Sequence, residues 1–310
     1  MAKENNTEHM TYCLNLEGST QEAIRSVIKE QIGRALEELD DSRLSQADTI
    51  HQVRKRCKKI RGALRLVRKS IGEKYSRENA WYRDAARSIS DVRDAEVMLE
   101  TFDAIMERYS DELDGRVMRP VRRELESRKN ALVGDAERIE KLLDNFREAM
   151  TEGCERLDSL FIEKDGCKVI LPGMQKTYNR GRKAMAAAYK KPGPETFHDW
   201  RKRVKYHWYH MRLMYEIWPA EMDVRIKEAD DLGELLGNHH NLWVLRSMLI
   251  HDAEAFARKE VVMKLVSMID KWTEQIENSS RPMGERLYAE KPNHMARRIY
   301  AYCLSRPEKK

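Results

Sequence analysis

Glycine and proline are scarce in this chain, with 14 and 8 copies among 310 residues. Long apolar runs are missing as well, because no stretch approaches the ~18 consecutive apolar residues that a membrane-spanning helix needs. These absences argue against a turn-rich all-β protein and against a transmembrane helix. The sequence instead has 41% hydrophobic and 35% charged residues, a composition typical of long amphipathic helices. We therefore expect an all-α protein.

The cysteines show no pairing pattern. They are odd in number, widely scattered and never arranged as C-x-x-C: Cys13, Cys57, Cys154, Cys167 and Cys303. This spacing indicates neither a disulfide framework nor a zinc knuckle, and it fits a reducing cytoplasm. The first residues are polar, with Lys3, Glu4 and Glu8 where a signal peptide would need an apolar run. We therefore expect a cytoplasmic protein.

Positive charge is concentrated in two segments, although the net charge is only +6. Residues 51–74 hold ten Lys or Arg against one acidic residue, and residues 176–212 hold eleven against two. Each segment therefore carries +9, which leaves −12 for the rest of the chain. This concentration predicts a localised anion site rather than a generally basic surface.

The first basic segment has the periodicity of an amphipathic helix. Its apolar residues alternate in spacing between three and four, which defines one helix face: Ile50, Val53, Cys57, Ile60, Leu64, Val67 and Ile71. Basic residues lie about 100° around the helix from this apolar face. We call them the first basic stripe: His51, Arg54, Lys55, Lys58, Arg61, Arg65 and Arg68.

The same pattern returns 147 residues later, where residues 198–215 share seven identities in eighteen positions with residues 51–68. The apolar face of this second helix contains Phe197, Trp200, Val204, His207, Met211, Met214 and Trp218. We call its basic residues the second basic stripe: His198, Arg201, Lys202, Lys205 and Arg212.

A second landmark keeps the same offset. Residues 88–99 align with residues 235–246, which pairs Arg93 with His240 and Asp94 with Asn241. An internal duplication, in which each half is a helical unit, is the simplest explanation.

Glycine, proline and short polar stretches mark the ends of the other helices. Besides the two basic segments, we expect helices at 20–40, 77–109, 112–165, 175–190, 222–256, 258–278 and 284–305. The midpoint lies in the connection at 165–173. This predicts an N-terminal extension (1–18) and two halves (19–165 and 166–310) of roughly four helices each.

The basic stripes are unusual for solvated helix faces. Such faces normally alternate charge signs, because opposite pairs at i,i+4 contribute roughly 0.2–0.5 kcal/mol and like pairs cost a similar amount. The like-charged neighbours of the first stripe together cost about 1–2 kcal/mol. This favours a bound polyanion, since the planar fork of Arg grips phosphate oxygens and Lys adds mobile positive charge.

The order H-x-x-R-x-x-x-K occurs twice, as His51/Arg54/Lys58 and His198/Arg201/Lys205. With "YNRGRKAMAAAY" (178–189), "SDVRDAEVML" (90–99) and "LGELLGNHHNLWVL" (232–245), it resembles the signature of the CHAD family, the conserved histidine α-helical domain. The resemblance extends from about residue 19 to 305. It implies two pseudo-symmetric four-helix bundles with a basic central groove or cavity that binds inorganic polyphosphate.

The resemblance also implies which residues contact polyphosphate. Besides the two basic stripes, they are Arg93, Tyr178, Arg180, Arg182, Lys183 and His240. Trp208 stands where the first half has Arg61, and Asn241 stands where an Asp is common, so we expect the second stripe to bind more weakly. The resemblance implies no cofactor.

RNA or single-stranded DNA is the alternative polyanion, because it shares the phosphate chain. Proteins that bind single strands usually interleave exposed aromatic residues with the positive charge. The first stripe has none, and the second is accompanied by Tyr206, Trp208 and Tyr209, of which Trp208 is expected in the core. We therefore expect polyphosphate first and nucleic acid second, with a cytoplasmic location that could include polyphosphate granules.

Neither a metal site nor catalysis is expected. His207 with His210, His239 with His240, and His251 supply ring nitrogens, but no H-E-x-x-H or Cys/His set is present. Phosphate hydrolysis would need carboxylates that hold Mg²⁺ beside the basic residues, and neither stripe contains one. A metal-dependent phosphate-processing enzyme remains an alternative, because acidic residues from other helices could approach the stripes.

Overall fold

The computed structural model describes residues 12–306, and every regular element in this range is helical. In the first half the α-helices are α1 (Thr20–Asp40), α2 (Gln46–Leu66), α3 (Lys74–Ser88), α4 (Asp91–Arg108), α5 (Gly115–Val133) and α6 (Ala136–Arg156). In the second half they are α7 (Cys167–Lys190), α8 (Pro194–Leu213), α9 (Pro219–His251), α10 (Ala253–Phe256), α11 (Lys259–Leu287) and α12 (Pro292–Leu304). The all-α class is confirmed.

Serine side chains cap the first two helices. Ser19 Oγ accepts a hydrogen bond from the backbone N–H of Glu22 at 3.1 Å, and Ser45 Oγ accepts one from Asp48 at 3.2 Å. The Ser45 hydroxyl also donates to the Asp48 carboxylate at 2.6 Å. Such caps satisfy N–H groups that have no partner inside the helix. Ser45 therefore fixes the start of α2, which carries the first basic stripe.

Several predicted helix boundaries are wrong. The predicted helix 77–109 is divided into α3 and α4, and the predicted helix 112–165 is divided into α5 and α6. Helix α7 begins at Cys167, eight residues before its predicted start at 175. Local punctuation by Gly and Pro was therefore a poor guide to where these helices end.

The break predicted at 278–284 is also wrong, because α11 runs through Pro282 to Leu287. Ser280 is completely buried, and a methyl group added at Gly284 would lie 2.5 Å from the Trp200 ring. Close packing on both sides of Pro282 therefore holds the helical conformation that proline alone disfavours.

The helix contacts of the first half recur in the second. Helix α1 packs on α2 and α6, α2 packs on α3, and α4 packs on α5. The corresponding contacts in the second half join α7 to α8 and α12, α8 to α9, and α9 to α11. The starts of α1 and α7 are 147 residues apart. A repeated set of helix contacts thus accompanies the repeated sequence pattern.

Buried apolar residues form two clusters, and each cluster contains residues from both halves. The larger extends from Tyr12 to Ile299, and the smaller joins residues 98–125 to residues 242–276. The midpoint near residue 165 is therefore not a boundary between hydrophobic cores. The division into 19–165 and 166–310 stays a prediction about ancestry.

Part of the predicted N-terminal extension belongs to the core. Tyr12 and Leu14 are fully buried. The Tyr12 hydroxyl donates to the backbone oxygen of Lys59 at 2.6 Å, and the Leu14 N–H donates to the backbone oxygen of Leu213 at 2.8 Å. This segment therefore links α2 to α8. Residues 1–11, and with them the interpretation that no signal peptide is present, lie outside the described residues.

Cys167 and Cys303 form a disulfide between the start of α7 and the end of α12, with their Cα atoms 6.5 Å apart. The prediction that the cysteines form no disulfide framework is wrong for this pair. The other three cysteines are thiols. Among the helices of residues 12–306, none has the length and apolar composition needed to cross a membrane.

Candidate functional site

The apolar faces predicted for α2 and α8 are buried. All seven residues of the α2 face have relative exposures of 6% or less. On the α8 face six of the seven are equally buried, and Trp218 is the exception at 48% because it follows the end of the helix. This burial fixes the rotation of both helices and thereby the direction of their basic stripes.

The two stripe-bearing helices pack directly against each other. The Arg65 guanidinium carbon lies 3.6 Å from the centre of the Tyr206 ring. His210 Nε2 lies 3.2 Å from the backbone oxygen of Gly62. A methyl group at Gly62 would lie 3.0 Å from Tyr209 Cβ, so only glycine allows this approach. Gly62 and Tyr209 are equivalent positions at the offset of 147, so the helices cross at matching points of the two halves.

Basic residues of both stripes meet at Lys58. Desolvation by the surrounding protein, followed by the positive charges of Arg54, Arg201 and Lys205, lowers the pKa of Lys58 to about 8. Arg54 comes from the same helix, whereas Arg201 and Lys205 come from α8. The structure therefore brings the first and second basic stripes together at this point.

Some of these cations are paired and others are not. Arg54 Nη1 donates to Asp94 Oδ1 at 3.0 Å and to the backbone oxygen of Ser90 at 3.2 Å. Lys205 Nζ donates to Asp230 Oδ1 at 2.9 Å. Lys58 and Arg201 have no carboxylate within 4.0 Å among residues 12–306. Among these four cations, the positive charge without a neutralising carboxylate in this range lies on Lys58 of the first stripe and Arg201 of the second.

Two glycines on α9 let the second stripe lie close to that helix. A methyl group at Gly233 would lie 2.9 Å from Lys205 Cδ, and one at Gly237 would lie 3.4 Å from Arg201 Nε. Both glycines stand one turn apart in "LGELLG", which is the sequence signal for this close approach. The α9 backbone therefore helps to hold Arg201 and Lys205 in place.

The histidines at the head of each stripe have equivalent neighbours. Desolvation, followed by the charges of Arg93 and Lys58, lowers the pKa of His51 to about 4. In the second half the rings of His198 and His240 lie 4.2 Å apart between centroids. Desolvation, followed by the charge of His198, lowers the pKa of His240 to about 4. Arg93 and His240 therefore both lie beside the stripe histidine of their own half.

Arg93, the first-half equivalent of His240, is engaged by two carboxylates. Its Nη1 donates to Glu96 at 2.6 Å and to Glu100 at 2.8 Å. Lys202 is likewise close to Asp199, with 3.2 Å between Nζ and Oδ1. The pKa of His198 is lowered by desolvation, followed by the charges of Lys202 and Arg201. Lys55 adds a further positive charge beside His51.

Four predicted contact residues are buried, and one of them is Arg65, which is 8% exposed and lies on the Tyr206 ring. Arg68 donates to the backbone oxygen of Gly173 at 2.9 Å and to Thr177 Oγ1 at 2.7 Å, which ties α2 to α7. Arg212 is 2% exposed and lies against the rings of Tyr12 and Trp208. Tyr178 is 1% exposed, and its hydroxyl donates to the backbone oxygen of Glu290 at 3.2 Å. These side chains support helix packing rather than the surface around Lys58.

The three predicted basic residues of α7 are not brought to Lys58 as a group. Arg180 is exposed and its charge acts on Arg68, beyond the end of α2. Arg182 acts on the pKa of Tyr178, and Lys183 is exposed. All three stay predicted contacts, and the charges of Arg180 and Arg182 act on Arg68 and Tyr178.

The sequence missed several side chains that shape this surface. Arg61 Nε donates to Asn79 Oδ1 at 3.3 Å. Asp230 pairs with Lys205, and Tyr206 carries the Arg65 guanidinium. Asn79 and Asp230 come from helices with no periodic basic pattern, so no local signal marks them. Tyr206 follows Lys205 directly, and its sequence position suggests a ring for stacking on bases rather than a contact with Arg65.

Metal ligands do not converge in the described part of the chain. Within residues 12–306 no group of three or more His, Cys, Asp or Glu side chains is placed to hold a metal ion. His207 and His210 are fully buried, and desolvation lowers the pKa of both.

The chain resembles several known proteins. Uncharacterized protein Rv2226 of Mycobacterium tuberculosis (strain ATCC 25618 / H37Rv) is 27% identical over 247 residues, which cover 75% of this chain and 46% of that protein. Uncharacterized protein MT2285 of Mycobacterium tuberculosis (strain CDC 1551 / Oshkosh) matches to the same extent. The chain thus spans less than half the length of these curated relatives.

A solved structure and a family model agree on the fold. The crystal structure of the CHAD domain from the plant Ricinus communis matches with a TM-score of 0.61 at 17% identity, over 90% of this chain and 94% of that chain. At this identity the likeness shows a shared fold alone. The family model described as CHAD domain matches residues 26–250. The duplicated histidine, arginine and lysine pattern, the helical fold and this match together show that the chain belongs to the CHAD domain family.

Proposed function

We propose that this chain binds inorganic polyphosphate without catalysis, in a basic groove between the two halves where the two stripes meet. The observation that carries the proposal is the position of Lys58 among Arg54, Arg201 and Lys205. Four cations from two helices cannot be placed together without cost, because like charges repel. A bound chain of phosphates removes this cost.

The environment of Lys58 supports a concave binding surface. Its side chain is exposed to solvent, yet it is strongly desolvated by the surrounding protein. These two properties support, for Lys58, a place in a shallow depression between α2 and α8, since a side chain on a convex ridge would be less desolvated. A depression lined by positive charge raises the local concentration of polyanions.

The arginines and lysines of the proposed site would contact phosphate in different ways. Arg54 and Arg201 supply planar guanidinium groups that can each hold two phosphate oxygens. Lys58 and Lys205 supply point charges that suit the irregular spacing of a flexible polymer. His51 and His198 are neutral near pH 7 in the ligand-free protein, because their pKa values are lowered. The negative field of a bound polyphosphate favours their protonated, donating form.

The burial of the aromatic residues beside the second stripe favours polyphosphate over nucleic acid as the ligand. Trp208 is 8% exposed, Tyr209 is 4% exposed, and one face of the Tyr206 ring is covered by Arg65. Bases therefore find few open rings on which to stack, and stacking supplies much of the affinity for single strands. RNA or single-stranded DNA is the alternative that the experiment must separate.

No catalytic step is included in the proposal. Asp94 and Asp230 are the carboxylates that pair with Arg54 and Lys205, and each accepts a hydrogen bond from that stripe cation. Release of orthophosphate when the protein is incubated with polyphosphate and Mg²⁺ would contradict this part of the proposal. For the cell, we propose a cytoplasmic location that includes polyphosphate granules. The Cys167–Cys303 disulfide does not support this location, because such bonds are rare in the cytosol.

The most informative experiment is a competition at physiological salt. A labelled polyphosphate of about 100 units is displaced by unlabelled polyphosphate or by single-stranded RNA at the same phosphate concentration. We expect polyphosphate to compete at least tenfold better, because the site reads phosphate charge and not bases. Equal or better competition by RNA would support nucleic-acid binding instead.

A further inference from the structure

The two halves differ at the residue that faces the first Arg of each stripe. In the first half this residue is Asp94, whose Oδ1 accepts a hydrogen bond from Arg54 Nη1 at 3.0 Å. Asp94 is 61% exposed, and its negative charge also acts on Lys58. The carboxylate therefore occupies the position from which a phosphate would contact Arg54.

In the second half the equivalent positions leave Arg201 without a carboxylate. Asn241 replaces Asp94, and Gly237 replaces Ser90 at the offset of 147. The Arg201 side chain lies against Gly237, and its Nε has no hydrogen-bond partner within the described part of the chain. Arg54 and Arg201 thus occupy equivalent positions in their helices, but only Arg54 is neutralised by a carboxylate.

We propose that Asp94 is an internal competitor for the polyanion, so that phosphate binds first at Arg201 and Lys58 and must displace Asp94 to reach Arg54. This inference rests on the proposed function. The sequence predicts that the second stripe binds more weakly. The proposal reverses this expectation, because Asn241 has no negative charge with which to compete with phosphate for Arg201.

Electrostatics sets the size of the effect. An exposed ion pair such as Arg54–Asp94 is weak, so a phosphate can replace it. A phosphate beside the Asp94 carboxylate would also be repelled by its like charge, which corresponds to about fivefold in affinity. The bonds that change are hydrogen bonds only, so the exchange is reversible.

The test measures polyphosphate affinity of the full chain at physiological salt for Asp94→Asn and Asn241→Asp. Asp94→Asn should bind about fivefold more tightly, and Asn241→Asp should bind about fivefold more weakly. The matched control for the first variant is Asp91→Asn, which removes the same charge from the same turn of α4, where Asp91 lies 3.7 Å from Arg138. The control for the second is Gln275→Glu, which adds a negative charge near Arg108.

Both controls should stay within about twofold of the wild type, since neither side chain contacts a stripe cation. Thermal melting of each variant shows whether it folds. Equal affinities for Asp94→Asn and Asp91→Asn would overturn the competitor role while leaving polyphosphate binding intact. Failure of the wild type to bind polyphosphate would overturn the proposed function and this inference with it.

Discussion

Lys58 lies in α2 beside Arg201 and Lys205 of α8, and desolvation together with these positive charges lowers its pKa to about 8. The sequence predicted that it belongs to a basic stripe, since it follows Arg54 by one helical turn. It did not show that Arg201 and Lys205 lie beside it, because contacts between helices that are 147 residues apart leave no local pattern. Nor did it show that Asp94 and Asp230 neutralise two of these cations.

Polyphosphate affinity should fall as the pH rises through about 8, the pKa of ligand-free Lys58. Below this pH the ammonium group is charged, and above it the ligand-free protein must take up a proton to bind. We expect a loss of about tenfold between pH 7 and pH 9.5. The measurement is a titration series at constant ionic strength.

Lys58→Arg is the control for this prediction. Its guanidinium stays charged over the whole range, so the variant should show little change between pH 7 and pH 9.5. The same loss in the variant as in the wild type would show that Lys58 is not the group responsible.

Acid should destabilise the protein between pH 6.5 and pH 4. His51 and His240 have pKa values of about 4, and that of His207 is about 3. Each unfolded histidine binds a proton near pH 6.5. Because the folded-state values are lowered, the neutral histidines favour folding above pH 6.5, and this contribution is lost as the pH falls.

His207→Leu should weaken this acid sensitivity. His207 is 1% exposed, neither of its ring nitrogens has a hydrogen-bond partner among residues 12–306, and it occupies the position of Ile60 in the first half. Removing the buried polar atoms should raise the free energy of unfolding at pH 7 by about 1 kcal/mol. Urea denaturation at pH 7 and pH 5 measures both effects, and the exposed His251→Gln serves as control. An unchanged pH dependence in His207→Leu would contradict this assignment.

At the scale of elements, glycine positions decide how α2 meets its neighbours. A methyl group at Gly173 would lie 1.9 Å from the backbone oxygen of Leu66, so α7 contacts the end of α2 there without any side chain between them. The sequence predicts a connection at 165–173 that ends with Pro172 and Gly173, but both residues lie inside α7. The backbone contact explains why a glycine is needed inside α7.

Gly173→Ala should lower the free energy of unfolding by about 3 kcal/mol, since the backbone of α2 must move to accept the methyl group. Gly33→Ala in α1 is the matched control, because no atom lies within 4 Å of the added carbon. That change should stabilise the protein by about 0.5–1 kcal/mol through helix propensity. Urea denaturation of both variants checks the difference in sign, and a neutral Gly173→Ala would contradict the contact.

The helix faces were predictable, and so were both ends of α1 (Thr20–Asp40), but most other helix ends were not. The apolar spacing of α2 placed all seven face residues correctly in the core. The predicted α8 face failed only at Trp218, where periodicity continued past the end of the helix. The helix break predicted at Pro282 was wrong for the opposite reason, because tertiary packing holds a helix that the local sequence disfavours. The spacing of apolar residues indicates which face of a helix is buried. The position of a helix end depends on packing against neighbouring elements, which this spacing does not contain.

At the scale of the whole molecule, the Cys167–Cys303 disulfide closes the second half by joining residues 136 positions apart. No sequence pattern marked this pair among five scattered cysteines, since the two meet only through the packing of α12 on α7. A cross-link over so long a loop reduces the entropy of the unfolded chain.

The double variant Cys167→Ser/Cys303→Ser should lower the free energy of unfolding by about 2–5 kcal/mol. Dithiothreitol should have the same effect on the wild type and no further effect on the variant. Cys154→Ser, which leaves the disulfide in place, is the control. A wild-type melting temperature that is unchanged by dithiothreitol would contradict a stabilising disulfide.

The central claim is that stripes from the two halves bind one polyanion together. The direct test is polyphosphate binding over a range of salt concentrations by the wild type, by Lys58→Ala/Arg201→Ala, and by Lys29→Ala/Arg43→Ala. The last variant removes the same charge at two surface ion pairs away from the stripes.

We predict a logarithmic salt slope of about −3 for the wild type, from about 0.7 per contact and four cations. Lys58→Ala/Arg201→Ala should lose more than tenfold in affinity and flatten the slope by about half, while the control variant keeps the wild-type slope. Equal losses in the two double variants, or a wild-type affinity that is the same at low and high salt, would contradict the account.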